Sequence, residues 1–317
     1  MKLTEKISSS ESTLFSFELL PPVKGRGIDS LFNAIDPLME FDPAFIDVTY
    51  HREEFVLRER RDGSFDKVSI RKRPGTVAIC AAIKNKYQVE TVPHMICGGF
   101  TRDETENALI DLDFLGIENI LALRGDNQKG ERHFTPEKDG NTNSIDLIHQ
   151  IDNMNNGIYL DSELRNAKPS NFCIGAAAYP EKHIDAPNME SDLNFLKRKV
   201  DAGASFLTTQ MFFDTDKFIS FVEKCREYGI DVPIIPGIKP ITKKAQVFSL
   251  PKIFNIDIPA DLVNALDKAK DDEAALEVGI EWCVDQCKKL IKAGAPVLHF
   301  YTMGRSGATH KIASQLF

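Results

Sequence analysis

Eight short apolar runs alternate with helical patterns along this chain, and that rhythm limits its fold more than any other feature. The runs lie at 14–20, 45–50, 92–99, 119–126, 172–180, 205–213, 232–240 and 297–303. Each carries apolar residues at successive positions, as a strand covered on both faces does. The clearest helix between them spans 190–202, where Leu193, Leu196 and Val200 recur at i, i+3 and i+7 behind an N-cap residue, Asn188. Segments 101–115, 215–228 and 274–292 read the same way. Alternating strands and helices imply a parallel sheet, which eight strands can close into a barrel or leave open and doubly wound. An open sheet holding a dinucleotide needs a glycine fingerprint after its first strand. The nearest segment, Gly25-Arg26-Gly27-Ile28-Asp29-Ser30, lacks the third glycine and follows Pro21-Pro22. No P-loop is present either. The expected fold is α/β: a single (β/α)8 TIM barrel over residues 1–317.

Two polar stretches interrupt the rhythm, 127–143 and 153–171, on either side of a short helix at 144–152. Loops of that length in a compact domain are usually functional or mobile, and because both follow the fourth strand they are expected beside the barrel mouth. The formal charge of −8 leaves no basic footprint for nucleic acid and argues against an anionic membrane surface. No apolar run reaches the roughly 20 residues of a membrane span. Residues 1–12 are polar and mixed in charge, without the apolar core of a signal peptide, so the cytoplasm is the expected compartment. The six cysteines lack metal-type or disulfide-framework spacing and are expected as reduced thiols. Cys283 and Cys287 are one helical turn apart, with no nearby ligand to complete a metal set.

The strand ends are polar. Glu18 closes the first, Asp47-Val48-Thr49-Tyr50-His51 the second, and the third carries Pro93-His94. The fourth ends Arg124-Gly125-Asp126, the fifth Tyr179-Pro180-Glu181, the sixth Thr208-Thr209-Gln210 and the eighth His299-Phe300-Tyr301-Thr302. Active sites of this fold assemble from the C-terminal ends of the strands. A carboxylate inside an apolar run such as Glu18 must be paired, protonated or functional. Asp126 has a bland alternative, pairing with Arg124 or closing a turn. His94 reads more readily as a satisfied core histidine than as a catalyst, so no proton transfer is assigned to it, and Gln210 reads as well as a partner for backbone as for a ligand. On the fifth helix, Asp192, Lys197, Arg198 and Lys199 form either a solvated face or, through Arg198 and Lys199, a grip on a diphosphate.

In these residues the chain resembles the methylenetetrahydrofolate reductases, in the bacterial catalytic-domain form. The resemblance runs nearly end to end. It covers Phe15-Ser16-Phe17-Glu18, Pro21-Pro22, Pro93-His94, Leu123-Arg124-Gly125-Asp126, Ala178-Tyr179-Pro180-Glu181, the stretch Leu196-Lys197-Arg198-Lys199-Val200-Asp201-Ala202-Gly203-Ala204, Thr209-Gln210, Ile235-Pro236-Gly237-Ile238 and His299-Phe300-Tyr301-Thr302. It implies an FAD enzyme that passes hydride from NAD(P)H, NADH preferred, through the flavin to 5,10-methylenetetrahydrofolate in ping-pong fashion. By the same resemblance Glu18 is the general acid that opens the folate's imidazolidine ring, and Asp126 lies by flavin and folate as the second catalytic residue. Thr49, His94, Arg124, Gly125, Asp126, Tyr179, His183, Asp192, Arg198 and Lys199 would hold FAD. Gln210 and Arg305 would contact substrate beside Glu18 and Asp126. A homo-oligomer is the expected assembly.

Three positions depart from the family pattern: Phe195 and Gly304 where asparagines are common, and Leu250 near a position where a phenylalanine stacks on substrate. A C-terminal regulatory domain and inhibition by adenosylmethionine are not expected. Two rival readings stay open. Another FAD-dependent barrel oxidoreductase, proline dehydrogenase-like, shares fold and cofactor but needs no acid on its first strand. A non-catalytic folate- or flavin-binding protein has little use for Glu18 together with Asp126.

Overall fold

A computed structural model describes residues 1–128, 131 and 133–317. Positions 129, 130 and 132, within the expected 127–143 insertion, lie outside the described residues. The strands are β1 (Leu14–Leu19), β2 (Phe45–Val48), β3 (Glu54–Glu59), β4 (Phe65–Ile70), β5 (Glu90–Ile96), β6 (Asn119–Leu123), β7 (Cys173–Ala178), β8 (Phe206–Thr209), β9 (Ile234–Ile235), β10 (Gly237–Ile238) and β11 (Val297–Tyr301). The main sheet is parallel with order β10-β11-β1-β2-β5-β6-β7-β8-β9. Its two end members are one segment broken at Pro236, which has no N–H for the ladder. The order therefore closes on itself as the expected barrel of eight segments.

The α-helices are α1 (Leu3–Ser9), α2 (Asp29–Ile35), α3 (Thr76–Tyr87), α4 (Arg102–Phe114), α5 (Ser144–Asn155), α6 (Met189–Asp201), α7 (Thr215–Glu227), α8 (Gln246–Phe254), α9 (Ala260–Lys268), α10 (Asp272–Lys292) and α11 (Gly307–Ala313). Their starts follow local chemistry. Asn188 accepts from Ser191 N at the head of α6, and Thr101 forms a reciprocal capping box with Glu104 at the head of α4.

Alternation along the strands sorts the interior into layers. The floor is apolar: Phe45, Val92, Leu121, Phe206, Ile235 and Val297 pack as one cluster. Fully burying a side chain such as Phe45 or Phe206 stabilises the fold by roughly 1.5–3 kcal/mol. Leu3 of α1 joins this floor, and its N–H donates to Asn119 Oδ1 at 2.8 Å, so α1 plugs the barrel from below. In sequence residues 1–12 read only as polar, because Leu3 and Ile7 alone face the floor.

Three further differences have physical reasons. β3 and β4 form an exposed antiparallel hairpin beyond β2; its charge-rich alternation does not look like a buried strand. The apolar runs overshoot the ladders at their C-terminal ends: β8 stops at Thr209, although Met211, Phe212 and Phe213 remain buried. Finally, the 153–171 stretch is not at the mouth. Helix α5 continues to Asn155, whose amide donates to Phe172 O at 2.9 Å while its Oδ1 accepts from Phe172 N at 2.7 Å. A helix after a parallel strand runs back along it, so this stretch lies at the N-terminal rim, next to Glu118.

Candidate active site

Two residues above the floor the interior turns polar on one side. Ser16, Asp47, His94 and His299 point inward from β1, β2, β5 and β11, and all four are buried. They form a chain. Ser16 Oγ and His299 Nδ1 are hydrogen-bonded at 2.9 Å, and His299 Nε2 lies 3.7 Å from Asp47 Oδ2. His94 Nε2 donates to the same Asp47 oxygen at 3.4 Å and stands 3.7 Å from Glu18 Oε2 in the next layer. Asp47 Oδ1 and His299 Nε2 are buried without a hydrogen-bond partner, an expense natural interiors rarely accept without use.

The electrostatics follow from that depth. The Glu18 side chain is 13% exposed, and burial pushes its carboxyl up from 4.5 to about 7. His94 and Lys239 pull against that rise while Asp47 adds to it. For His94, burial opposes charge, but the Asp47 hydrogen bond and the Glu18 and Asp47 carboxylates overcome it and leave its pKa raised. Burial keeps His299 below its ordinary value. Backbone bonds pin the layer: Thr302 Oγ1 donates to Glu18 O at 2.7 Å, and Tyr301 OH to Thr209 O at 2.6 Å. Asp47 and His299 stand among the polar strand ends of the sequence but carry no assigned role there, and Lys239 does not stand out at all. Register brings them in: Asp47 pairs with Glu18 and His299 with Ser16 across adjacent strands.

A second group gathers on the β6–β7–α6 wall. Arg124 Nη1 bonds Asp185 Oδ2 at 2.7 Å. The His183 N–H donates to Asp192 Oδ2 at 2.8 Å, and the His183 ring meets Tyr179 edge-on at 4.6 Å between centroids. Lys199 is 6% exposed, donates to Ala177 O at 2.7 Å, and is lowered by burial to about 8. Its ammonium and the Arg198 guanidinium sit 5.3 and 5.6 Å from the Phe195 ring, so this departure from the family packs against two expected cofactor cations.

β7 brings only small side chains here, Gly175 to Ala178. A Cβ on Gly175 would run into the Phe206 ring. Beside it Thr208 Oγ1 is buried with no partner. Cations, small residues and an orphaned hydroxyl fit a flat-ringed, anionic cofactor. Gly125 takes φ +86°, where a side chain would be strained and would press on Ile96.

The other expected residues lie around the rim. Thr49 Oγ1 bonds Leu19 O at 3.3 Å. Gln210 is half-buried, with its Oε1 turned to Met211 N. Asp126 is exposed, its charge felt by His51 and Tyr179. Arg305 is also exposed, and its N–H donates to Thr302 O at 3.0 Å. Leu250 is buried against the outer cluster with Met211 and Ile241. A rim cavity of about 270 Å³ lies between Leu19–Pro22, Arg26, Arg73 and Met303-Gly304; Glu18 is not among its walls. All six cysteines are free and buried. Among the described residues no cluster of His, Cys, Asp or Glu is placed to hold a metal ion. No described helix is long and apolar enough to cross a membrane.

The chain is similar to known proteins along nearly its whole length. The sequence pattern of the family described as "Methylenetetrahydrofolate reductase" matches residues 2–317. The chain is 34% identical over 316 residues to "Methylenetetrahydrofolate reductase (NADH) 1" of Arabidopsis thaliana, covering 96% of this chain and 48% of that protein. It thus spans about half the length of that relative. Against "5,10-methylenetetrahydrofolate reductase" of Escherichia coli it is 33% identical over 302 residues, covering 95% of this chain and 90% of the other. Among solved structures, an uncharacterised Clostridium thermocellum protein described as binding two copies of 5-methyl-5,6,7,8-tetrahydrofolic acid shares the fold. Its TM-score is 0.57 at 14% identity, over 98% of this chain and 96% of that one.

Proposed function

This chain belongs to the methylenetetrahydrofolate reductase family, and on that premise we propose that it reduces 5,10-methylenetetrahydrofolate to 5-methyltetrahydrofolate through bound FAD, with NADH preferred over NADPH. The observation that carries the reading is the Glu18 carboxyl, buried in the barrel and raised to about 7. An acid with that pKa is still partly protonated near neutrality and strong enough to give its proton away. Bound FAD would supply the hydride relay between the nicotinamide and the folate.

The chain's own residues do the rest. Glu18 donates a proton to an imidazolidine nitrogen, which opens the folate ring to a cationic iminium. Asp126 stabilises that cation. At about 4 Å and an effective dielectric of ~20 the attraction is roughly 4 kcal/mol before desolvation takes its share. Asp126 is exposed in the protein alone, so that figure applies only once ligand has displaced the water around it. Lys199 and Arg198 would meet the cofactor diphosphate from α6, and Arg124, His183, Asp192, Tyr179, Thr49, His94 and Gly125 would hold the rest of it. Gln210 takes the pterin and Arg305 the shared nicotinamide and folate site.

The test separates the two half-reactions by anaerobic stopped-flow. In Glu18→Gln, NADH should still bleach the flavin while methylenetetrahydrofolate no longer reoxidises it. Survival of both half-reactions would remove Glu18 as the acid. A colourless protein that cannot be reconstituted with FAD would remove the whole mechanism.

A further inference from the structure

Lys239 follows β10 directly, and the register places it in the layer of the acid. Gly237 pairs with His299 and Ile238 with Phe300, so the next pair is Lys239 with Tyr301, which itself pairs with Glu18. Ile238 packs into the outer core, and alternation turns Lys239 inward. The residue is only 7% exposed. Its ammonium has no hydrogen-bond acceptor and no carboxylate at ion-pairing distance among the described residues. The side chain is buried while its ammonium keeps some contact with solvent, and its titratable neighbours are Glu18 and the Cys283 thiol of α10.

Glu18 is faced from every side of this layer. Asp47 comes from β2, His94 from β5, the Tyr301 phenol from β11 and Lys239 from the end of β10. His94 is closer to Asp47, at 3.4 Å, than to Glu18, at 3.7 Å, so much of its charge is already matched. When Glu18 gives up its proton, a carboxylate remains in a desolvated position. Lys239 is the cation on that level not otherwise engaged.

We propose that Lys239 is a positioning residue for the folate half-reaction: its ammonium holds the Glu18 carboxylate left after proton transfer, and so sets the pH range over which Glu18 serves as an acid. This rests on Glu18 being that acid. The sign is fixed by charge. A cation favours the carboxylate, so removing it makes Glu18 keep its proton to higher pH and release it less readily.

The experiment reads Glu18 directly. The C=O stretch of its protonated carboxyl is followed by infrared difference spectroscopy against Glu18→Gln, titrated with pH, in wild type, Lys239→Met and Lys239→Arg. In Lys239→Met the midpoint should move up by about one pH unit, and in Lys239→Arg it should stay near the wild-type value. In the FAD-loaded protein the alkaline limb of folate reduction should move up by the same amount, while the NADH half-reaction keeps its pH profile. If Lys239→Met fails to fold, Lys239→Gln is read the same way. A Glu18 band whose midpoint ignores the neutral substitution overturns the role of Lys239 and leaves Glu18 standing. Absence of any titrating Glu18 band in wild type overturns both.

Discussion

On the β1–β2–β5–β11 wall of the barrel, carboxyl and imidazole groups are sunk inside the sheet: Asp47 is 1% exposed, His299 0% and His94 6%. On the β6–β7–α6 wall the charged groups stand on loops and a helix, with Arg198 and Asp185 exposed and Lys199 reaching in over small residues. The first wall uses desolvation to hold a proton on Glu18 near neutral pH. The second keeps Arg124 and Arg198 in reach of water and sinks only Lys199, 6% exposed, among small residues. If Glu18 is the acid and the α6 cations meet the cofactor, the barrel separates proton chemistry from cofactor binding by strand.

Four measurements break or sharpen that contrast, the largest effect first. On the buried wall, Glu18→Gln should slow reoxidation of reduced flavin by methylenetetrahydrofolate about a thousandfold, the middle of the range that general acids supply; a loss under tenfold would put the proton elsewhere. The same substitution should stabilise the fold in alkali. Glu18 is raised from 4.5 to about 7 in the folded state, so its contribution is fully present below about 4.5 and is lost as pH rises through 7. Urea unfolding should therefore show Glu18→Gln more stable than wild type by about 3 kcal/mol at pH 8 and little changed at pH 4. Equal stability at pH 8 would mean that the carboxylate is better solvated than the packing indicates.

On the open wall the effects should be smaller. Lys199→Met should weaken FAD about thirtyfold, as loss of one charge-assisted contact predicts. Wild-type affinity should also fall as pH rises through about 8, where the free protein loses the Lys199 charge. Fluorescence titration of FAD against pH checks both, and a flat profile would detach Lys199 from the cofactor. Asp185→Asn removes the partner of Arg124, but the Asp185 side chain is 56% exposed. Thermal unfolding should move by less than about 1 kcal/mol equivalent, and a larger loss would show that this wall is as tightly coupled as the buried one.

Much of the architecture was legible in the chain alone. The eight-fold rhythm is carried by short apolar runs that no other element competes for, and the caps at Thr101 and Asn188 are local chemistry complete within four residues. Glu18 stood out because a carboxylate breaks an apolar run. Strand ends were less legible, since burial continues past the last ladder bond at Met211 to Phe213. The β3–β4 hairpin was hidden by its charge.

What the sequence by itself determined is which residues each strand turns inward, because side-chain alternation is a property of one strand. Which of those residues meet is decided by closure and register, which are properties of the whole ring. Asp47, His94 and His299 come from three separate strands and converge only because β11, β1, β2 and β5 are neighbours. Lys239, some two hundred residues from Glu18 in the chain, reaches the acid's level because the segment broken at Pro236 closes the barrel against β11.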